Sequence, residues 1–343
     1  MDPMLNTLFV TRQGAYLRKD HGRVAVELPD DQTAEFPLLH IGSFVLFGRV
    51  MVSPALMRWC GENGRPVSFL GRGGRFYSRL TPPCSGNVLL RLDQFRRADD
   101  EAAALPIARN IVAGKVQNSR NSIMRSRRDS DSADDRDALS EAAEHLAQTL
   151  IALPAKDSLD QVRGVEGEAA RAYFGVFDRM LLADRDGLRF ESRNRRPPRD
   201  PVNSVLSFLY AVLVHDCAAA AEAVGLDPQV GFLHAPRPGR PSLALDLMEE
   251  LRPVLADRLA LTLFNRQQLR PDDFVTREGG AVHIEDDARK TIIRAYQERK
   301  EDEITHPALE RKVPLGLVPH LQARLLARTL RGDLDAYPAF VYG

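Results

Sequence analysis

The chain reads as an α+β protein, a small N-terminal β-rich domain followed by a larger all-helical domain. Three observations predict it. Residues 5 to about 80 are short β-branched and aromatic runs broken by glycine-bearing turns. From Val88 onward the apolar residues recur at helical period. Between the two stands Pro82-Pro83, where neither pattern continues. The boundaries follow as 1–85 for the β-rich part and 86–343 for the helical part, with a flexible charged loop near 126–137. A length of 343 residues, 44% of them hydrophobic and 27% charged, is ample for two such cores.

In the first part, LNTLFV, GAYLRK and RVAVEL read as strands, turned at Gln13-Gly14 and His21-Gly22. SFVLFGRVMVS is an apolar run around Gly48, and RPVSFLGRGGRFYSRL reads strand, Gly-Gly turn, strand. Between them PALMRWCGENG has Pro54 at a helix start and Gly61 near its end, which predicts a short helix. The second part begins with one long helical pattern, LLRLDQFRRADDEAAALPIARNIVAGKVQNSRNSIMR. The segment 126–137, SRRDSDSADDRD, is dense in charge and poor in apolar residues, and is expected to be a solvated loop. DALSEAAEHLAQTLIAL, GEAARAYFGVFDRML, PVNSVLSFLYAVLVHDCAAAAEAVG and SLALDLMEELRPVLADRLALTLFNR follow as helices, with no fixed-period repeat. The apolar run Val205 to Val214 stops at His215-Asp216, half the length of a membrane span, and predicts a buried helix.

Lys and Arg number 47, Asp and Glu 47, so the net charge is +0. That balance excludes a strongly basic whole chain but not a local basic surface. Residues 115–128 hold Lys115, Arg120, Arg125, Arg127 and Arg128 without an acid, and RNRRPPR at 193–199 holds four arginines without one. Either can be a solvated face; two in one domain favour a polyanion partner. Cys60, Cys84 and Cys217 are widely spaced and form no CxxC pair, against both a disulfide framework and a thiolate zinc site. With Asp2 and Pro3 where a basic leader region would stand, the expectation is a soluble, cytoplasmic protein without a membrane.

Two segments carry candidate chemistry. In GVEGEAARAYF, 164–174, two glycines flank an acid at a helix start, leaving room for close approach to the backbone. Glu166 shares a helical face with Ala170, Tyr173 and Phe177, while Glu168 shares one with Arg171, Ala172 and Arg179. Glu166 therefore points inward and needs a base, a hydrogen-bond network or a metal. In GFLHAPRPGRPSLALDLMEEL, 231–251, three prolines hold 235–241 out of helix and Ser242 is a candidate N-cap. His234 thus sits at the mouth of a rigid loop beside a helix bearing Asp246, Glu249 and Glu250. Asp246 and Glu249, three apart, share a face. Imidazole and carboxylates suit Mg²⁺ or Mn²⁺. The same residues read equally well as a structural histidine and exposed acids.

Three ordered blocks bring in a resemblance. GVEGEAARAYF at 164–174, RNRRPPRDPVNSVLSFLYAVL at 193–213 and GFLHAPRPGRPSLALDLMEELRP at 231–253 match the E-G-x-x-A-R-x-Y-F, R-x-R-x-P-P-x-D-P-x-N and H-x(n)-S-L-x-x-D-L-x-E blocks of one family. The K-V-x-N run at 115–118 and the β-rich start fit as well. The chain resembles the CRISPR-associated integrase family, the larger of the two near-universal Cas proteins of the adaptation module, and is most similar to its type I-C branch.

The resemblance implies a DNA integrase and endonuclease of spacer acquisition. It implies Glu166, His234 and Glu249 as catalytic metal ligands for Mg²⁺ or Mn²⁺, with Asp246 secondary. Asp200 and Asn203 would brace the second block, with Pro201 at the first position of a helix. Arg193, Arg195, Arg196, Arg199, Arg237 and Arg240 are the candidate DNA contacts. The implied partners are double-stranded DNA (prespacer and CRISPR repeat and leader), a second copy of the chain through its β-rich domain, and the small second adaptation Cas protein. Two other classes stay open: a stand-alone metal-dependent nuclease of repair or recombination, and a non-catalytic DNA-binding scaffold.

Overall fold

The structure, a computed structural model, describes residues 6–74, 76–80, 88–182, 188–195 and 197–343. Cys84 and the Pro82-Pro83 boundary lie outside the described residues. The chain divides into two compact units, residues 1–85 with 286–302, and 86–285 with 303–343.

In the first unit, β1 (Thr7–Val10), β2 (Tyr16–Asp20), β3 (Arg23–Glu27), β4 (Thr33–Pro37), β5 (Ser43–Phe47), β6 (Met51–Val52), β7 (Val67–Leu70) and β8 (Phe76–Leu80) form two four-stranded sheets. Their orders are β1-β5-β7-β8 and β4-β3-β2-β6. Sequential β2, β3 and β4 pair antiparallel, whereas β1, β5 and β7 pair parallel. His21 enters the first of these hairpin turns at φ 49°. Gly48, at φ 77°, is where the chain leaves β5 in one sheet for β6 in the other. The helix α1 (Pro54–Glu62) begins where the sequence places it, with Ser53 accepting from Leu56 N at 3.2 Å. Leu17, Val24, Phe44, Leu46, Leu56 and Cys60 make the core.

The second unit opens with α2 (Val88–Asp99), α3 (Glu101–Asp129) and α4 (Ala133–Ala152). The long predicted pattern is two helices, because Asp100 accepts from Ala102 N at 2.9 Å and restarts the chain as an N-cap. The segment 126–137 is not a loop: it is the end of α3, a link at 130–132, and the start of α4. Its charges are end chemistry. Arg127 and Arg128 close the C-terminus of α3, Ser132 caps α4, and Asp134 and Asp135 occupy its first turn. Asp135 is buried and accepts from Arg179 at 2.8 Å.

Next come α5 (Leu159–Gly175) and α6 (Pro201–Ala223). The first starts at Leu159 behind the Ser158 cap, so Gly164 and Gly167 lie within the helix rather than at its start, and a Cβ added to either would meet open space. The apolar run extends past His215-Asp216 to give a 23-residue helix, long and apolar enough to cross a membrane by composition. Its buried residues run from Val202 to Ala221 on every side, the pattern of a core helix.

The chain continues through α7 (Ser242–Glu249), a π-helical turn at Arg252–Asp257, and α8 (Arg258–Asn265). The hairpin β9 (Phe274–Thr276)–β10 (Val282–Ile284) follows, turned at Gly279 and Gly280 with φ 89° and 78°. Helix α9 (Asp286–Glu301) belongs to the first unit, where Gln297 donates to Thr7 O at 3.2 Å. The hairpin β11 (Glu303–His306)–β12 (Arg311–Pro314) and α10 (Val318–Leu330) return to the second. That unit is therefore mostly helical rather than all-helical; strands of three and four residues are too short to stand out from a helical background.

The last residues run as an extended strap along α3. Asn110 donates to Tyr337 O at 2.8 Å, Asn118 to Phe340 O at 2.9 Å and Asn121 to Tyr342 O at 2.6 Å. Gly114 lies on the same face, and a Cβ there would stand 3.1 Å from Ala339 Cβ and 3.3 Å from Phe340 O. The asparagine and glycine spacing on α3 is thus a track for the strap.

Candidate metal centre

Three helices and one loop of the second unit bring the candidate residues together. Glu166 leaves α5 on the face that buries Ala169, Tyr173 and Phe177, while Glu168 faces outward to His145 Nε2 at 3.3 Å. This is the inward and outward split that the helical period predicts. Glu249 is the last residue of α7 and its side chain is 1% exposed; that of Glu166 is 25% exposed. Lys115, on α3 and buried, stands between them. Its ammonium contacts Glu166 Oε1 and lies 2.6 Å from Glu249 Oε2.

Two further nitrogens approach Glu249, from Arg252 and His234. Arg252 Nη1 is 2.8 Å and His234 Nε2 is 3.7 Å from its Oε1. Burial alone would raise this carboxyl, but neighbouring positive charge, led by Arg252 and Lys115, outweighs it and holds Glu249 down to about 2. It is an anion at any ordinary pH. Lys115 bonds this carboxylate as well as attracting it. Among the described residues no three acids, histidines or cysteines close around a common point as they stand. The place between Glu166 and Glu249 belongs to Lys115.

His234 is positioned from behind. Asp246, buried on α7, accepts from His234 Nδ1 at 2.7 Å and from the backbone N–H groups of Phe232, Leu233 and His234 at 2.6, 3.0 and 3.0 Å. An ionised carboxylate can only accept, so Nδ1 carries a proton and Nε2 is the nitrogen turned towards Glu249. With both oxygens occupied in this way, Asp246 serves as the histidine's brace in place of the secondary ligand role expected of it. The approach requires Gly231: a Cβ there would stand 2.6 Å from Asp246 Oδ2 and 2.7 Å from the Ser242 carbonyl carbon. Ser242 does not cap α7; its hydroxyl donates to Ala235 O at 3.2 Å and ties down the proline loop. Arg163 grips the same loop through Leu233 O at 2.7 Å.

These features can be set beside known proteins. The family model "CRISPR associated protein Cas1" matches residues 8–298. A relative in Moorella thermoacetica, named a CRISPR-associated endonuclease Cas1, is 52% identical over the full length of both chains. A second, in Rhodospirillum rubrum and bearing the same name, is 50% identical, again with full coverage of both. This chain belongs to the Cas1 family. Its fold is that of a Cas1 protein from Thermotoga maritima (TM-score 0.83, 22% identity, 98% of this chain and 99% of that one). It is equally that of a casposase bound to its integration product (TM-score 0.83, 22% identity, 97% and 93%).

In this Cas1-family chain the second block is a braced corner. Asp200 caps α6 by accepting from Asn203 N at 2.7 Å, with Pro201 in the first turn. Asn203 Oδ1 accepts from Asn194 N at 3.0 Å and from Arg193 Nη1 at 2.7 Å. Arg193 also donates to Ser207 at 3.1 Å and its guanidinium stacks 5.2 Å from the Tyr210 ring centre. It is thus turned inward, onto Asn203, Ser207 and Tyr210. Arg195 and Arg199 are exposed and help line a cavity of about 550 Å³ with Arg189, Asn194 and Asp200. Arg196 lies outside the described residues. Arg237 is exposed and Arg240 half-buried on the His234 loop. Partial burial, then the nearby guanidiniums of Arg237 and Arg163, lower Arg240 from its ordinary value. Of the acid-free run at 115–128, Arg125 and Arg128 are exposed. Arg120 and Arg127 are spent on α4, at Ala143 O (3.2 Å) and Ser140 Oγ (2.5 Å).

Two residues of the centre were not singled out from the sequence. Lys115 was counted in a basic patch, although its K-V-x-N context and its apolar flanks place it on a buried face. Arg252 stands three residues after Glu249, the spacing of a same-face ion pair.

Proposed function

We propose that Glu166, His234 and Glu249 hold one Mg²⁺ or Mn²⁺ ion and that this centre joins DNA in CRISPR adaptation. The observation that carries the reading is the convergence of two inward carboxylates, from α5 and α7, on a single positive charge with an oriented imidazole beside it. A donor set of two carboxylates and one imidazole suits a hard divalent ion and leaves open positions. Bound there, the ion would supply Lewis acidity, lowering the pKa of an attacking hydroxyl and countering charge at the phosphate.

The chain's own residues do the rest. Asp246 fixes the tautomer and direction of His234. Arg252 keeps Glu249 ionised and in place. Arg163, Arg237 and Arg240 around the histidine loop, with Arg195 and Arg199, offer positive charge to the DNA backbone and hold it over the centre. The reaction supported is transesterification: the 3′-oxygen of an incoming fragment bonds to a phosphorus at the repeat boundary, the repeat strand's 3′-oxygen leaves, and the attacking hydroxyl's proton passes to solvent. Water in place of the hydroxyl gives strand cleavage by the same centre.

Double-stranded DNA, a second copy of the chain through the β-rich unit and the small second adaptation protein complete the reading. One centre joins one end of a fragment, so two ends call for two chains. The solved fold neighbours support it, since one of them is a Cas6-RT-Cas1–Cas2 complex. The proline-bearing loop 235–241 and the DLMEEL form support the type I-C branch, and two buried cysteines outside any disulfide, Cys60 and Cys217, support a reducing cytoplasm.

The test is a supercoiled-plasmid integration assay with and without the small partner protein and divalent metal. Integrated products that need both, and that disappear with a 3′-dideoxy fragment, are expected. Cleavage without any strand transfer would favour the stand-alone nuclease; activity indifferent to metal would remove the centre.

A further inference from the structure

We propose that Lys115 is a resident counter-cation: its ammonium and a divalent ion compete for the same two carboxylates. The inference rests on the metal reading above and concerns what stands in the centre before an ion arrives.

The lysine contacts both acids at once. Its side chain is 9% exposed, and its ammonium meets Glu166 Oε1 on one side and Glu249 Oε2, at 2.6 Å, on the other. Glu249 is 1% exposed, so without a counter-charge its carboxylate would be a buried anion beside a second one. Arg252 answers part of that charge but cannot move to answer the rest. Its guanidinium is fixed between Glu249 Oε1, at 2.8 Å, and the Tyr210 ring, whose centre is 5.1 Å away. Lys115 differs in kind. It is a compact ammonium on a flexible four-carbon stem, strongly hydrated when released. Where Arg252 is a permanent neighbour, Lys115 is an exchangeable one.

Two consequences follow. The fold stands without the ion, because the lysine offsets the carboxylates in its place. Ion binding is weaker than the donor set alone would give, because each ion must displace an ammonium.

The experiment is Mn²⁺ titration by calorimetry and by electron paramagnetic resonance on the full chain. It compares wild type with Lys115→Met, Lys115→Gln and Lys115→Arg, with melting temperatures taken in chelator and in saturating Mn²⁺. Removing the charge in Lys115→Met and Lys115→Gln should tighten Mn²⁺ binding by about tenfold or more, the scale of losing one close competing charge at a half-buried site. Both should melt below wild type in chelator, with the gap narrowed by Mn²⁺. Lys115→Arg, which keeps the charge, should stay near wild type. In the wild-type chain Mn²⁺ should raise the acylation of Lys115 read by mass spectrometry, a measurement that stands if the variants fail to fold. Unchanged or weaker Mn²⁺ binding by the neutral variants overturns the exchange while leaving the metal reading intact, as does Lys115 acylation indifferent to Mn²⁺. Absence of Mn²⁺ binding in folded wild type and variants alike removes the metal reading itself, and the exchange with it.

Discussion

His234 Nδ1 lies 2.7 Å from Asp246 Oδ1, and the same carboxylate gathers three successive backbone N–H groups of the loop that carries the histidine. One buried acid thus sets both the path of the loop and the direction of the imidazole. Asp246→Asn replaces one acceptor oxygen by a donor that must face a backbone N–H. We expect Mn²⁺ affinity to fall by about 10- to 100-fold, the usual cost of losing a partner behind a metal-binding histidine. Calorimetric titration checks it; wild-type affinity would make Asp246 a bystander.

Asn118 ties the centre to the chain's last residues. It donates to Glu250 O at 2.7 Å and Phe340 O at 2.9 Å, both buried, and accepts from Tyr342 N at 2.8 Å. Asn118→Ala orphans three backbone groups, and a loss of about 2–4 kcal/mol is expected in denaturant unfolding. Asn121→Ala frees one more exposed carbonyl, Tyr342 O, and should cost less.

Asp257 gives a pH signature. Burial raises it from 3.8 to about 6, against the lowering effect of Tyr210, Arg193 and Arg252, and Tyr210 donates to it at 2.6 Å. The folded chain therefore keeps a proton that the unfolded chain gives up between these values. This group's contribution to stability is full below about 3.8 and is lost as pH rises through about 6. Asp257→Asn should gain on wild type in melting temperature as pH goes from 4 to 7, with most of the gain below the upper value. A difference that is flat across this range would contradict the assignment.

The arginines of the second block should separate into two kinds. Arg195→Ala and Arg199→Ala remove exposed charge, and each should weaken DNA binding and reduce the salt slope of binding by about one. Arg193→Ala should leave the slope unchanged and instead lower stability, since it unmakes bonds to Asn203 and Ser207. Fluorescence anisotropy across a salt series distinguishes them.

The residues show where the sequence was legible and where it was not. Period alone directed Glu166 inward and Glu168 outward, because one helical face is set by spacing. The strands of the first unit and α1 were legible from turns and a proline start. The stretch 126–137 was not: its charge density, read as solvation, is the complementary end chemistry of two helices separated by three residues. Local charge counts also hid direction. Arg193 and Lys115 belong to basic runs, yet both are turned into the unit, Arg193 by Asn203 on the next helix and Lys115 by Glu249 far away in sequence. Asp246 and Glu249 share a helix face by spacing, but one grips the loop and the other the centre, a division decided by tertiary packing around Gly231.

The most direct test of the central claim is anomalous diffraction from crystals grown with Mn²⁺, on wild type and on Glu249→Ala. The account predicts a manganese peak bounded by Glu166, His234 Nε2 and Glu249 in the wild type, absent or strongly weakened in the variant. Manganese bound elsewhere in the chain, or a peak unaffected by the loss of Glu249, would contradict it.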